Sequence, residues 1–327
     1  GNSAHRDQWD KSKLECWSNG VMQPRILVVG TGAIGGFYGG KLAQAGASVS
    51  TLCRSDYKVV KSKGITVAST LGDFHFTPDK VIQDLGEYGP PPDYILVGLK
   101  VLPEIDTPEI IKEVVGAETA IVLLQNGVEI EEPVVRAFPD NENISGLAFI
   151  CATRTSPGHI DHTDFGRLVI GRFPAGKSAR VEELATLFND SGVVCEVSED
   201  AVTARWRKLV WNAPFNPISV LGGGADTKTM VENPESLELA RKVMEEVCLI
   251  ATAAGHPLPE EIVQQNIDGT RAMEPYKSSM LVDFEAGRPM EVEAILGNGL
   301  RVAKRHGVSA PHMESLYGLL TLSLIHI

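Results

Sequence analysis

At 327 residues and 43% hydrophobic content, the chain is long enough for two domains and apolar enough to bury a core in each. A formal net charge of -12 argues against nucleic acid or an anionic membrane as partner, because both reward basic surface. No apolar run approaches the ~20 residues that span a bilayer. The five cysteines, Cys16, Cys53, Cys151, Cys195 and Cys248, are scattered and form no CxxC pair, which points to reduced thiols rather than zinc or redox work.

The two ends are expected to stand outside the fold. Residues 1–21 are polar, lack the apolar stretch of a signal peptide, and precede Met22-Gln23-Pro24, so Met22 is read as the start and 1–21 as a non-native leader. Residues 322–327, Leu-Ser-Leu-Ile-His-Ile, match one reading frame of a common sequencing adapter and are read as an artificial tail. Between them, the first expected domain covers 22–197 and the second 198–321.

In chain order, Arg25–Val29, Ser48–Cys53, Tyr94–Gly98 and Ala120–Leu124 are compact apolar runs of strand length. Helical stretches fall between several of them, as in Gly35–Ala45 and Glu109–Val115. That alternation predicts an α/β domain, a doubly wound parallel sheet of Rossmann type. Ile144–Thr153, Gly158–His162, Arg167–Gly171 and Val193–Val197 are more hairpin-like and predict a mixed or antiparallel finish. From Ser198 the strands disappear. Ser198 is expected to cap a helix over Ala201–Trp211, and Asn233-Pro234 to open one that Gly255 closes. Ser278–Glu285, Glu291–His306 and Pro311–Leu320 complete an all-α second domain.

The turn after the first strand reads Gly30-Thr31-Gly32-Ala33-Ile34-Gly35. GxGxxG alone is weak, but here a strand precedes it and a helix follows. In that setting Gly30 permits the tight turn, Gly32 lets a pyrophosphate approach the backbone, and Gly35 lets helix and strand pack closely. Ala33 and Ile34 then offer N–H groups at the helix start. The next strand ends Leu52-Cys53-Arg54-Ser55. NAD-binding chains place an acidic residue there to hold the ribose 2′-hydroxyl, whereas the Arg54 guanidinium suits a 2′-phosphate. NADP(H) is therefore the expected cofactor, and Asp56, two residues on, keeps NAD open as the minority alternative. Lys100 and Gln125-Asn126-Gly127 follow two further strands, where ligands of open α/β sheets bind.

In the second half, Lys208, Asn212 and Asn216 are spaced i, i+4, i+8 on an apolar helix. A solvent-facing stripe is the bland explanation. Asn is a poor helix former, however, and amides on such a face make more sense against a ligand. Pro214 is expected to kink this helix near Val210. His159-Ile-Asp-His162 lacks a third nearby ligand, so no metal is expected. Trp206 and Trp211 are read as packing residues.

With these motifs in place, the chain from about Met22 to about Leu320 resembles the ketopantoate reductase (2-dehydropantoate 2-reductase) family. The resemblance is carried by the GxGxxG turn, Gln125-Asn126-Gly127, the Lys208–Asn216 helix, and Ser278-Ser279-Met280-Leu281 followed by Glu291. It implies NADPH-dependent reduction of ketopantoate to (R)-pantoate, a coenzyme A precursor. It also implies Lys208 as general acid and Glu291 as a substrate-binding carboxylate in the catalytic site. Asn126, Asn212, Asn216 and Ser279 would contact substrate, with Arg54, Lys100 and Asn126 on the cofactor side. The residue types suit that chemistry, because hydride arriving at a 2-oxo carbon builds charge on oxygen that an ammonium can stabilise and protonate. Glu291 could equally be an N-terminal helix charge. A reductase of another 2-oxo acid, or an NADP(H)-binding sensor without turnover, are the alternatives. Cytoplasmic placement follows from the absent signal peptide, the unpaired cysteines and the need for NADPH. The sequence leaves open whether the protein is a homodimer.

Overall fold

The computed structural model describes residues 23–323. The leader 1–21 and the last four residues of the expected tail lie outside the described residues, whereas Leu322 and Ser323 belong to the final helix. The chain divides into two compact units. The first comprises the chain up to Lys100, Asp106–Gln125 and Glu131–Ala201. The second comprises Val101–Ile105, Asn126–Ile130 and the chain from Val202 onward.

The first unit is an α/β structure on a ten-stranded sheet. Its elements are β1 (Arg25–Val29), α1 (Ala33–Gln44), β2 (Ser48–Leu52), α2 (Tyr57–Lys63), β3 (Ile65–Ser69), β4 (Phe74–Phe76), β5 (Val81–Ile82), β6 (Tyr94–Val97), α3 (Thr107–Ile111), β7 (Ala120–Leu123), α4 (Glu132–Ala137), β8 (Asn143–Ser156), β9 (His159–Arg172), α5 (Ala179–Asp190) and β10 (Cys195–Val197). The strand order is β4-β3-β9-β8-β7-β6-β1-β2-β5, with β10 added beside β9. From β5 through β8 neighbouring strands run parallel. The chain leaves β1 toward β2 and later returns to β6 on the other side, so the order reverses at β1/β6. In an open α/β sheet that reversal opens a crevice at the carboxyl ends of the two strands.

Every residue of β6 and β7 is buried, as expected of parallel strands covered on both faces. One face packs Ile26 and Val28 against Phe37, Tyr38 and Leu42 of α1 and Val181, Leu184 and Phe188 of α5. Each such large side chain, fully buried, contributes about 1.5–3 kcal/mol. The later part is mixed: β9 pairs in parallel with β3 and β10, while β8 and β9 form one long antiparallel hairpin with three register shifts. Gly158 sits at its tip rather than inside a strand. The expected gap between the two halves of β9 is such an irregularity, where Phe165 takes φ +61° within a continuous strand. The strands β4 and β5, three and two residues long, are too short for a period to be read.

The second unit, among the described residues, is helical: α6 (Ala201–Leu221), α7 (Thr227–Glu232), α8 (Pro234–Ala253), α9 (Ile262–Ala272), α10 (Ser279–Glu285), a π-helical turn (Glu293–Gly297) that runs into α11 (Asn298–His306), and α12 (Pro311–Ser323). The Asn233 side chain accepts from Ser236 N–H and opens α8, and Gly255 follows its end with φ +88°. Ser198 does not cap α6, because the helix starts three residues later and the Ser198 hydroxyl accepts from Asp200 N–H instead (3.1 Å). Helix α6 runs through both Pro214 and Pro217 as one assigned element. Trp206, Leu209, Val210, Ala213 and Phe215 of α6 form a core with Val243, Met244, Val247 and Ile250 of α8 and Met313, Leu316 and Leu320 of α12. None of these helices is long and apolar enough to cross a membrane.

Glu246 lies within that apolar face of α8 and is only 6% exposed. Its carboxylate accepts from the backbone N–H of His312 (3.0 Å) and of Met313 (2.9 Å), and pairs with His312 Nδ1 (2.6 Å). It therefore caps α12 from a neighbouring helix and meets the positive end of the helix dipole. Glu246→Ala should lower stability by about 2–4 kcal/mol through the N–H groups left unpaired, read from the shift of the urea midpoint. Glu246→Gln, which keeps one acceptor oxygen, should lose less.

Candidate active site

The glycine turn lies at the reversal point of the sheet. Gly30 follows β1 with φ +92°, a conformation that L side chains rarely adopt. A Cβ there would stand 2.5 Å from the backbone nitrogen of Leu99 and 2.7 Å from the carbonyl carbon of Gly98, both just beyond β6. A Cβ on Gly35 would stand 2.2 Å from the Gly30 carbonyl oxygen. Gly98 is also close, since a Cβ there would stand 3.0 Å from that same oxygen. The sequence places Gly98 only as a strand end, and nothing in it signals this contact. Thr31 Oγ1 donates to the Leu52 carbonyl (2.8 Å) and ties the turn to the end of β2.

Gly32 differs from the other two turn glycines. A Cβ there would meet no atom within 4 Å, so its side faces open space. Gly32 is also the N-cap of α1, a helix of 12 residues with no side-chain cap and no acidic residue in its first turn. The N–H groups that open the helix, those of Ala33 and Ile34 among them, thus meet neither a capping oxygen nor a negative charge. A pyrophosphate fits such a place, and the two tightly packed glycines hold the backbone that would receive it.

Arg54 is exposed, and its guanidinium makes no ion pair or hydrogen bond among the described residues, although its carbonyl accepts from Tyr57 N–H (3.3 Å). Asp56 is the opposite. It is 4% exposed and accepts from Arg154 Nη1 (2.7 Å), Gly158 N–H (3.2 Å) and Ser55 Oγ (2.9 Å). Lys100 is half-buried. Gln125, 6% exposed, donates through Nε2 to the Leu99 carbonyl (3.0 Å) and braces the β6 exit from the end of β7.

In the second unit, helix α6 gathers the strand-exit segment Asn126–Ile130. Lys208 Nζ donates to Asn126 Oδ1 (2.8 Å), and one turn earlier Arg205 Nη1 donates to the Gly127 carbonyl (3.2 Å). Gly127 has φ +98°, and a Cβ there would lie 2.4 Å from the Ala294 carbonyl oxygen of the π-helical turn. Asn298 Nδ2 donates to the Val128 carbonyl (2.8 Å). The segment is thus clamped from both sides. Arg205 and Asn298 are supporting residues that the sequence reading did not single out. An Arg beside Trp206 on an apolar helix was the one available signal.

The Lys208–Asn216 stripe does not face solvent. Asn212 is 8% exposed and Asn216 1% exposed. Asn216 Oδ1 accepts from Met280 N–H (3.4 Å) at the start of α10, which leaves its amide nitrogen as the donor on offer. The Asn212 side chain makes no hydrogen bond among the described residues, so its amide is available to a ligand. Of the two serines, Ser278 is the buried one, capping α10 through Leu281 N–H (3.2 Å) and sharing a 2.7 Å hydrogen bond with Ser219. Ser279 is exposed.

Glu291 is half-buried, and its Oε1 accepts from Val101 N–H (2.9 Å) in the other strand-exit segment of this unit. The two nearby carboxylates are engaged elsewhere. Glu293 accepts from Tyr317 Oη (2.5 Å) and pairs with Arg301 (2.8 Å), and Glu285 pairs with Lys277 (2.8 Å). His162 Nδ1 hydrogen-bonds Ser69 Oγ (2.8 Å), while His159 is exposed. Trp206 is buried, and Trp211 donates to Thr270 Oγ1 (3.0 Å).

The tightest of these contacts yields a direct check. Gly35→Ala forces a methyl group onto the Gly30 carbonyl, so it should abolish detectable dinucleotide binding and lower stability by about 2 kcal/mol or more. Fluorescence titration and thermal melting of the purified variant read the two effects separately.

Comparison with known proteins identifies the family. The family model described as ketopantoate reductase PanE/ApbA matches residues 26–175, and the model for its C-terminal part matches residues 200–323. The chain is 35% identical over 298 residues to the 2-dehydropantoate 2-reductase of a Nostoc species, covering 90% of this chain and 93% of that one. Among solved structures, the 2-dehydropantoate 2-reductase of Methylococcus capsulatus is 50% identical with a TM-score of 0.88, over 92% of this chain and 97% of that one. The 2-dehydropantoate 2-reductase of Geobacter metallireducens is 37% identical with a TM-score of 0.86, over 91% and 99%. With both halves matched and relatives similar along nearly their whole length, the chain belongs to the ketopantoate reductase family.

Proposed function

We propose that the protein reduces ketopantoate to (R)-pantoate with NADPH, and that Lys208 is its general acid. The observation that carries the assignment is the Lys208–Asn126 hydrogen bond (2.8 Å) on the helix that also carries Asn212 and Asn216. Similarity to reductases named for this substrate supports it.

The residues divide by task. The glycine turn and the start of α1 receive the pyrophosphate, with Arg54 on the 2′-phosphate and Lys100 and Asn126 as further cofactor contacts. The cofactor, when bound, supplies the hydride. Lys208 faces the negative charge that develops on the 2-oxo oxygen and gives it a proton. Asn126, by accepting from Lys208 Nζ, limits the directions the ammonium can take. Asn212 and the free amide nitrogen of Asn216 are donors suited to the substrate carboxylate, with Ser279 at its rim. Glu291 accepts from the terminal hydroxyl. We take 22–197 as the cofactor domain and 198–321 as the catalytic domain, the latter completed by the strand-exit segments. The same reading places the enzyme in the cytoplasm, consistent with Cys53, Cys151, Cys195 and Cys248 forming no disulfide among the described residues.

A panel of 2-oxo acids assayed by NADPH absorbance tests the substrate. Ketopantoate should give the highest kcat/KM, and a value no better than for simple 2-oxo acids would overturn the assignment. In the same assay, Lys208→Ala should reduce kcat by about 100-fold or more while NADPH binding stays nearly intact. Arg54→Ala should raise the KM for NADPH far more than that for NADH; equal effects would remove Arg54 from the 2′-phosphate.

A further inference from the structure

Asp56 has the type and near position of a residue that could hold a ribose 2′-hydroxyl, close to the end of β2. It stands at the N-cap of α2, yet its side chain makes no capping hydrogen bond there. It turns instead to the tip of the β8–β9 hairpin, where Arg154 and Gly158 hold it. Thr31, Asp56, Arg154, Gly158 and His159 line one small depression, so this cluster borders the glycine turn itself. The Asp56 side chain is 5% exposed and that of Arg154 41%.

From this geometry we propose that Arg154 is a positioning residue for cofactor choice, acting through Asp56. The idea rests on the NADPH reading above and explains how that choice is enforced. Both carboxylate oxygens of Asp56 are already accepting. Turning the group toward a ribose would break an ion pair and leave the Gly158 N–H unpaired. NADH therefore gains no acidic partner. The Arg154 guanidinium also cancels a negative charge two residues from Arg54, a charge that would otherwise repel a 2′-phosphate. Arg154 thus removes an attraction for one cofactor and a repulsion for the other.

The test is direct binding of NADPH and of NADH to the free enzyme, followed by nicotinamide fluorescence with no substrate present. Arg154→Gln should lower the NADPH-over-NADH ratio of affinities roughly tenfold. Arg154→Lys, which keeps the charge, should hold the ratio within about twofold. Combining Arg154→Gln with Asp56→Asn removes the stranded charge while keeping an acceptor for Gly158, and should return the ratio to that of the unmodified enzyme. This double variant also carries the test if Arg154→Gln alone fails to fold. An unchanged ratio in Arg154→Gln overturns the proposal. So does a double variant that remains weak for NADPH, since Arg154 would then be contacting the phosphate itself. If the unmodified enzyme shows no preference for NADPH, the cofactor reading falls with it, whereas a preference lost in Arg54→Ala but kept in Arg154→Gln leaves that reading standing and rejects only the role of Arg154.

Discussion

Where β1 ends, the backbone at Gly30, the start of α1 and the exit of β6 meet at distances that leave no room for a side chain. That contact fixes much of the first unit. Gly35 must lie against Gly30 for α1 to begin where it does, and Gly98 must lie against both for β6 to end beside them. The helix then points its uncapped N–H groups past Gly32 into open space. An anion site of this sort needs no charged side chain, because oriented peptide dipoles supply the field. A chain with net charge -12 can therefore still present a local welcome to phosphate.

The second unit solves a different problem with a different device. Its helices bury Arg205, Asn212 and Asn216 beside Trp206 and Phe215, which is costly unless each polar group has work to do. Arg205 and Lys208 spend theirs on the Asn126–Gly127 segment, and Asn216 spends its oxygen on the start of α10. Asn212 and the amide nitrogen of Asn216 have no side-chain hydrogen bond among the described residues. A helix otherwise filled with tightly packed apolar groups gives such an amide little freedom to turn. Holding donors in place before a charge develops is the means by which polar sites favour a transition state over water.

Much of this was legible in the residues themselves. The strands β1, β2, β6 and β7 announce themselves by apolar runs between glycines, and the Asn233-Pro234 cap and the Lys208–Asn216 spacing stand in local sequence. What escaped depends on partners far along the chain. Asp56 kept an NAD reading open, because its type and position suited a ribose, and only the fold brings Arg154 and Gly158 to it across separations of 98 and 102 residues. Which of Ser278 and Ser279 turns inward is hidden in the same way, since a helix start decides it. Short strands such as β4 and β5 leave too few residues for any period to show.

The second unit is not a contiguous piece of chain. It takes Val101–Ile105 and Asn126–Ile130 from between the strands and helices of the first, and Asn126, which receives the Lys208 ammonium, arrives on one of those insertions. Evolution by exchange of whole domains is therefore constrained here. A chimera joined once near residue 200 would unite a lysine from one parent with an asparagine and a glycine from the other. The clamp at Gly127, where the π-helical turn leaves no room even for a methyl group, would have to match across that junction. Recombination between relatives should tolerate five coordinated crossovers, one at each passage between the units, better than one.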